Sequence, residues 1–201
     1  MSEELVRQLE PVFRPRSVAV IGASNNPTKW GGMVIGRAVE SAFRGPIYPV
    51  NPGASEIKGL PAYPDIGAIP GPVDLAVFTI TAEQMPAAMA ACVEKGVRGG
   101  LIISADFAET GERGRALQEE TVRIAREGGI RLIGPNGNGM WSATANLNLS
   151  PFADPSGGGL AFVDHGVRNQ DEAFAIECIG FHRLERRRRQ VPGLRRRRGL
   201  G

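Results

Sequence analysis

Residues 17–32, SVAVIGASNNPTKWGG, decide the fold. A short apolar run without polar alternation is how a strand buried on both faces reads, and this one breaks into glycine and small polar residues before a helical pattern begins. Such a turn presents unpaired N–H groups and the positive end of a helix dipole, so it favours an anion, commonly a phosphate. Lys29 would add charge. The plainer reading is a turn that only joins strand to helix, and the other loops must separate the two.

Four more runs have the same character: IYPV, VDLAVFTI, GGLIIS and IRLIG. Between them, helices are expected from about Met33 to Phe43, Ala82 to Lys95 and Gly111 to Arg126, after a short one around Glu3 to Leu9. In the second, Met85, Met89, Cys92 and Val93 form one apolar stripe, and Pro86 falls in the first turn where proline is tolerated. Strand and helix in alternation predict the α/β class, with right-handed crossovers and a doubly wound parallel sheet. Gly96, Gly128 and Gly129 are expected to close helices in the left-handed conformation.

Residues 49–74 carry too many prolines and glycines for one regular element, so a loop, a short strand or turn near Ile57 and an irregular connection are expected. A connection of that length hints at use. Residues 136–159, NGNGMWSATANLNLSPFADPSGGG, read as a turn-rich linker, and GLAFV as the start of one more strand. After Val163 the periodicity degrades.

At 201 residues, 42% hydrophobic and 22% charged, the chain has the balance of a soluble globular protein with one substantial domain and a partial second. No apolar stretch approaches the roughly 20 residues that span a bilayer, and the N-terminus lacks the regions of a signal peptide, so a cytoplasmic location and no membrane partner are expected. Nine of the 24 basic residues but one of the 21 acidic ones lie from Arg183 onward, which leaves 15 basic and 20 acidic residues, net −5, in the body. A basic partner surface is therefore not expected on the folded part. Cys92 and Cys178 have neither metal-ligand spacing nor a disulfide framework and read as filler.

In an open parallel sheet, ligands bind outside the carboxyl ends of the strands. The five ends are GASNNPTKWGG, VNPGASEIKG, TITAEQ, ISADFAETG and GPNGNG, all polar and rich in small residues. A nicotinamide or flavin dinucleotide would want G-x-G-x-x-G in the first and an acid at the end of the second strand; the chain has GASNNP, then Asn51 and Pro52. The P-loop pattern is absent too. His165 and His182 lie in the tail, and Asp106 and Glu109 read better as helix-start partners than as an acid/base pair. No catalytic residue and no metal ligand is assigned; the rim is equipped for binding.

FRPRSVAVIGAS, PIYPVNPGASEIKGLPAYPDI, ISADFAETG and RLIGPNGNGM together resemble the CoA-binding domain of the NDP-forming acyl-CoA synthetases, relatives of the succinyl-CoA synthetase alpha subunit. The resemblance covers about Leu9 to Val163. It implies a Rossmann-like domain over residues 1–150 that holds coenzyme A. Carried over by position, it implies that Gly22, Ala23, Ser24 and Asn25 wrap the phosphates, with Asn51 and Pro52 beside the nucleotide. Ile80 and Thr81 would line the adenine side. Ser104, Ala105 and Asp106 would border the pantetheine path, and Asn136 would lie near the thiol end. The family usually has proline at 81, glycine at 106 and cysteine at 137; a carboxylate at 106 would weaken binding of an anionic cofactor unless a cation offset it.

The resemblance also implies a partner subunit or domain with an ATP-grasp fold and a phosphohistidine relay in a flavodoxin-like second domain. Neither histidine here matches the relay position, so residues 151–201 are expected to be a linker and a truncated or frameshifted start of that domain. The chain is then a CoA module rather than an enzyme active alone. Two other readings stay open on the residues: an NAD(P)-binding oxidoreductase domain, and a nucleic-acid binder using the arginine tail.

Overall fold

The computed structural model describes residues 3–152 and 161–164. Cys178, both histidines and the arginine runs lie outside the described residues. Helix α1 (Glu3–Phe13) precedes β1 (Val18–Ile21), α2 (Trp30–Glu40) and β2 (Ile47–Val50); a small hairpin, β3 (Glu56–Ile57) and β4 (Leu60–Pro61), leads to β5 (Leu75–Phe78). A 3₁₀ turn (Ala82–Gln84) runs into α3 (Met85–Lys95), followed by β6 (Gly99–Ile102), α4 (Glu112–Glu127), β7 (Arg131–Ile133), β8 (Gly137–Ser142), β9 (Leu147–Asn148) and β10 (Ala161–Asp164).

Five strands form one parallel sheet in the order β2-β1-β5-β6-β7. The register sets Ile21 beside Val50 and Phe78, and Phe78 beside Ile102, so the carboxyl ends finish level. Strands leave β1 toward one edge through β2 and toward the other through β5, which puts the topological switch between β1 and β5.

Alternation along each strand divides the core into two layers. Ala19, Ile21, Ala76, Phe78 and Ile102 face Met85, Met89, Cys92 and Ala125 of α3 and α4. Val18, Val20, Leu75, Val77 and Leu101 face Val12, Val34, Ile35 and Ala38 of α1 and α2. Both faces are covered, as the unbroken apolar runs require. Cys92 is buried, and burial pushes its thiol up to about 12, so it packs as a small apolar residue.

Three expectations are corrected. Residues 136–150 are not a linker: β8 pairs with β9 and β10 in an antiparallel three-stranded sheet, and Met140, Leu147 and Leu149 are buried in the α1–α2 layer. Gly128 is right-handed (φ −81°); a Cβ there would lie 2.2 Å from Val93 Cγ2, so packing of α4 on α3 rather than a left-handed cap demands glycine. Gly96 and Gly129 do take positive φ. Finally, α2 begins at Trp30 rather than Met33. Gly31 and Gly32 have poor helix propensity, which a close backbone contact overrides.

At the opposite edge, Arg16 closes the entry to β1. Its backbone N–H and guanidinium donate to the Asp74 carboxylate at 2.8, 2.9 and 3.1 Å, and Asp74 N–H donates to Ser17 Oγ at 3.0 Å. Hydrogen bonding from Arg16 holds the Asp74 carboxyl below the usual carboxylate range. A lowered folded-state value stabilises the fold above the unfolded value of roughly 3.9 and loses that contribution as pH falls through the lowered one. Urea midpoints of wild type and Asp74→Asn should thus differ by a constant amount at neutral pH and converge in acid; a gap that persists to pH 2 contradicts the assignment.

Candidate functional site

The five carboxyl-end loops are joined side by side. Asn51, after β2, donates from Nδ2 to Ala23 O at 2.8 Å and accepts Gly53 N–H at 2.8 Å. Across the switch, Thr79 donates its backbone N–H and its hydroxyl to Ile21 O at 2.9 and 3.0 Å. Phe78 O accepts Ile103 N–H at 3.1 Å and the Ser104 hydroxyl at 3.4 Å. Asn136 N–H donates to Ser104 O at 2.9 Å. The rim is thus one connected surface from β2 to β7.

The first loop is the tightest part. Gly22 takes φ +88°, with Thr79 Oγ1 2.8 Å and Ile80 Cγ2 3.0 Å from where a Cβ would stand. Its carbonyl lies 2.0 Å from the Cβ position of Gly31, and Asn26 O lies 1.8 Å from that of Gly32. The loop therefore lies directly on the first turn of α2. Among the described residues, no protein acceptor takes the backbone N–H groups of Ser24, Asn25, Trp30 or Gly31. Free amides at a helix start are the usual means of holding an anion.

The expected site residues divide by what their side chains do. Ser24 Oγ accepts Asn26 N–H at 3.1 Å, and Asn25 is spent on the hairpin: Nδ2 donates to Glu56 O at 3.0 Å and Oδ1 accepts Lys58 N–H at 2.9 Å. Ala23 is fully buried, so only its backbone belongs to the loop. Lys29, at the N-cap of α2, and Pro52 are exposed. Ile80, Ser104 and Asn136 are half-buried; Thr81, Ala105 and Asp106 are exposed. All therefore lie on the joined loops, but Asn25 and Asn51 serve as clamps between them.

Positions 81, 106 and 137 acquire physical meaning. Asp106 takes φ +72°, a left-handed conformation natural to glycine and tolerated by aspartate. Its N–H donates to Glu109 Oε1 at 2.8 Å, so Glu109 braces the loop as a helix-start partner would. Thr81 has φ −68°, compatible with proline, and at Gly137 an added Cβ would meet only Ile102 O at 3.5 Å. Gly31, Gly32 and Lys58 were not singled out in the sequence. The paired glycines were legible only as a spacing from Gly22 longer than the dinucleotide pattern allows.

The family model described as "CoA binding domain" matches residues 16–141. The alpha subunit of an ADP-forming acetate–CoA ligase II from Pyrococcus furiosus is 42% identical over 155 residues, covering 77% of this chain and 34% of that protein. An ADP-forming acetate–CoA ligase II from Archaeoglobus fulgidus is 40% identical over 148 residues, 74% of this chain and 22% of the relative. Among solved structures, a dinucleotide-forming acetyl-coenzyme A synthetase 1 from Ca. Korarchaeum cryptofilum, in complex with phosphate and ADP, superposes with a TM-score of 0.68 at 36% identity, covering 71% of this chain and 30% of that one. The chain thus spans about a third or less of the length of these relatives.

Two glycines of α2 test the first-loop geometry by sign. Replacing a helical glycine by alanine ordinarily stabilises by about 0.5–1 kcal/mol. Gly36, where a Cβ would have Lys58 Cε at 3.9 Å as its nearest neighbour, should follow that rule, whereas Gly32→Ala should destabilise because the Asn26 carbonyl must move. Urea denaturation of both variants reads the difference; stabilisation by Gly32→Ala would contradict the close approach of the Asn26 carbonyl.

Proposed function

The chain belongs to the CoA-binding domain family, and we propose that it holds coenzyme A across the carboxyl edge of its parallel sheet as the CoA module of an NDP-forming acyl-CoA synthetase. The observation that carries this reading is the open set of amides at Ser24, Asn25, Trp30 and Gly31, beside the switch point. They suit the CoA diphosphate, with Lys29 adjacent. From there Ile80 and Thr81 border the adenine, and Ser104, Ala105 and Asp106 border the pantetheine as it passes toward Asn136. Bound CoA would supply the thiol that accepts or releases an acyl group.

The residues present fit CoA better than a nicotinamide dinucleotide. In the latter an acid after the second strand binds the ribose hydroxyls. Here the position is held by Asn51, whose amide is committed on both sides to Ala23 and Gly53. An ATP-grasp partner and a phosphohistidine relay would complete the proposed enzyme. No helix among the described residues is long and apolar enough to cross a membrane.

A ligand at one hundred times its dissociation constant stabilises by about 2.7 kcal/mol, which for a domain of this size raises Tm by about 5–10 °C. CoA should produce such a shift and NADH at the same concentration should not; the reverse result would favour a dinucleotide oxidoreductase. Asp106→Gly keeps the left-handed backbone and removes a carboxylate from the proposed path. It should tighten CoA binding by about two- to fivefold, the worth of one exposed charge, in calorimetric titration. Unchanged affinity would place the pantetheine elsewhere.

A further inference from the structure

We propose that a groove on the outer face of α2 takes the 3′-phosphate of CoA, with Lys58 as the cation that distinguishes CoA from dephospho-CoA. This assignment rests on the CoA reading above. The groove has a volume of about 220 Å³, and Pro27, Gly32, Gly36, Arg37, Glu40 and Lys58 are among its walls. Pro27 belongs to the first loop and Gly32 to the first turn of α2, so the groove opens beside the proposed diphosphate cradle.

Its charge is asymmetric. Arg37 donates to Glu40 at 3.2 Å, so these two answer each other. Lys58 has no carboxylate within ion-pair distance among the described residues and leaves the groove with one uncompensated positive charge. A phosphomonoester carries about −1.5 to −2 at neutral pH, and its second ionisation follows an adjacent cation.

The backbone of Lys58 is also held in place. With Gly59 it forms the two-residue turn of the β3–β4 hairpin, both at positive φ (+53° and +76°), where asparagine, aspartate or glycine is the ordinary choice. Asn25 of the first loop holds that turn by accepting Lys58 N–H at 2.9 Å and donating to Glu56 O at 3.0 Å. Across the groove Gly36 leaves a lane for the lysine stem, whose Cε is the nearest atom to its absent Cβ. The hairpin follows β2, the segment from which dinucleotide-binding folds recognise the ribose substituents: an acid for free hydroxyls, a cation for a phosphorylated one. CoA carries a phosphate on that ribose, and Lys58 is the cation in the corresponding segment.

The test is calorimetric titration of the full chain and of Lys58→Asn with CoA and with dephospho-CoA. Asparagine accepts the left-handed backbone and is neutral, so the turn is retained. Wild type should bind CoA about tenfold more tightly than dephospho-CoA, the scale of one charge-assisted contact. The variant should bind both alike, at the wild-type affinity for dephospho-CoA. A variant that keeps the preference, or loses affinity for both ligands equally, overturns the assignment to Lys58 and leaves the CoA reading standing. Failure of wild type to bind either ligand overturns both.

Discussion

Two backbone carbonyls, those of Gly22 and Asn26, lie so close to the first turn of α2 that no side chain fits at residues 31 and 32. This contact fixes where the helix begins, at Trp30, and brings its free amides to the carboxyl edge of the sheet beside the β1–β5 switch. Were α2 to start one turn later, those amides would retreat from the edge and the first loop would lose its floor. The level strand ends do the rest, since Ile21, Val50, Phe78 and Ile102 stand abreast and release their loops at the same height.

What then holds the loops is mostly amide chemistry. Asn25 and Asn51 each use both ends of a side-chain amide to tie backbone to backbone, a role to which asparagine is suited because it donates and accepts at once. The charges are distributed unevenly around this frame: Lys29 and Lys58 flank the first loop, whereas Glu83, Asp106 and Glu109 stand beyond β5 and β6. Arg113 meets Glu83 at 3.5 Å and leaves the other two carboxylates. A ligand with phosphates at one end and an uncharged arm at the other matches that polarity.

Much of this was legible in the sequence, and the reasons for the remainder are physical. Unalternated runs of valine, isoleucine and leucine identify β1, β5 and β6 because both faces of those strands are covered, and IYPV coincides with β2 residue for residue. The antiparallel strands β8 and β9 escaped because five of their eight residues are glycine, asparagine or serine, and their burial comes from contact with α1 and α2 rather than from their own pattern. The start of α2 escaped because propensity penalises glycine where tertiary packing demands it. The loops that form the rim were readable as a set, while the division of labour within them was not. That Asn25 and Asn51 are clamps depends on hydrogen bonds between segments 28 to 33 residues apart.

The open first loop and its neighbours across the switch point are proposed here as one surface for coenzyme A. Backbone amide chemical shifts followed by NMR during a CoA titration test it residue by residue. Saturable shifts are expected at Gly22–Asn25, Trp30 and Gly31, continuing through Ile80 and Ser104–Asp106, with the amides of the last turn of α4 and of the Arg16–Asp74 closure at the opposite edge unmoved. Shifts confined to that opposite edge, or none anywhere at saturating CoA, would contradict it.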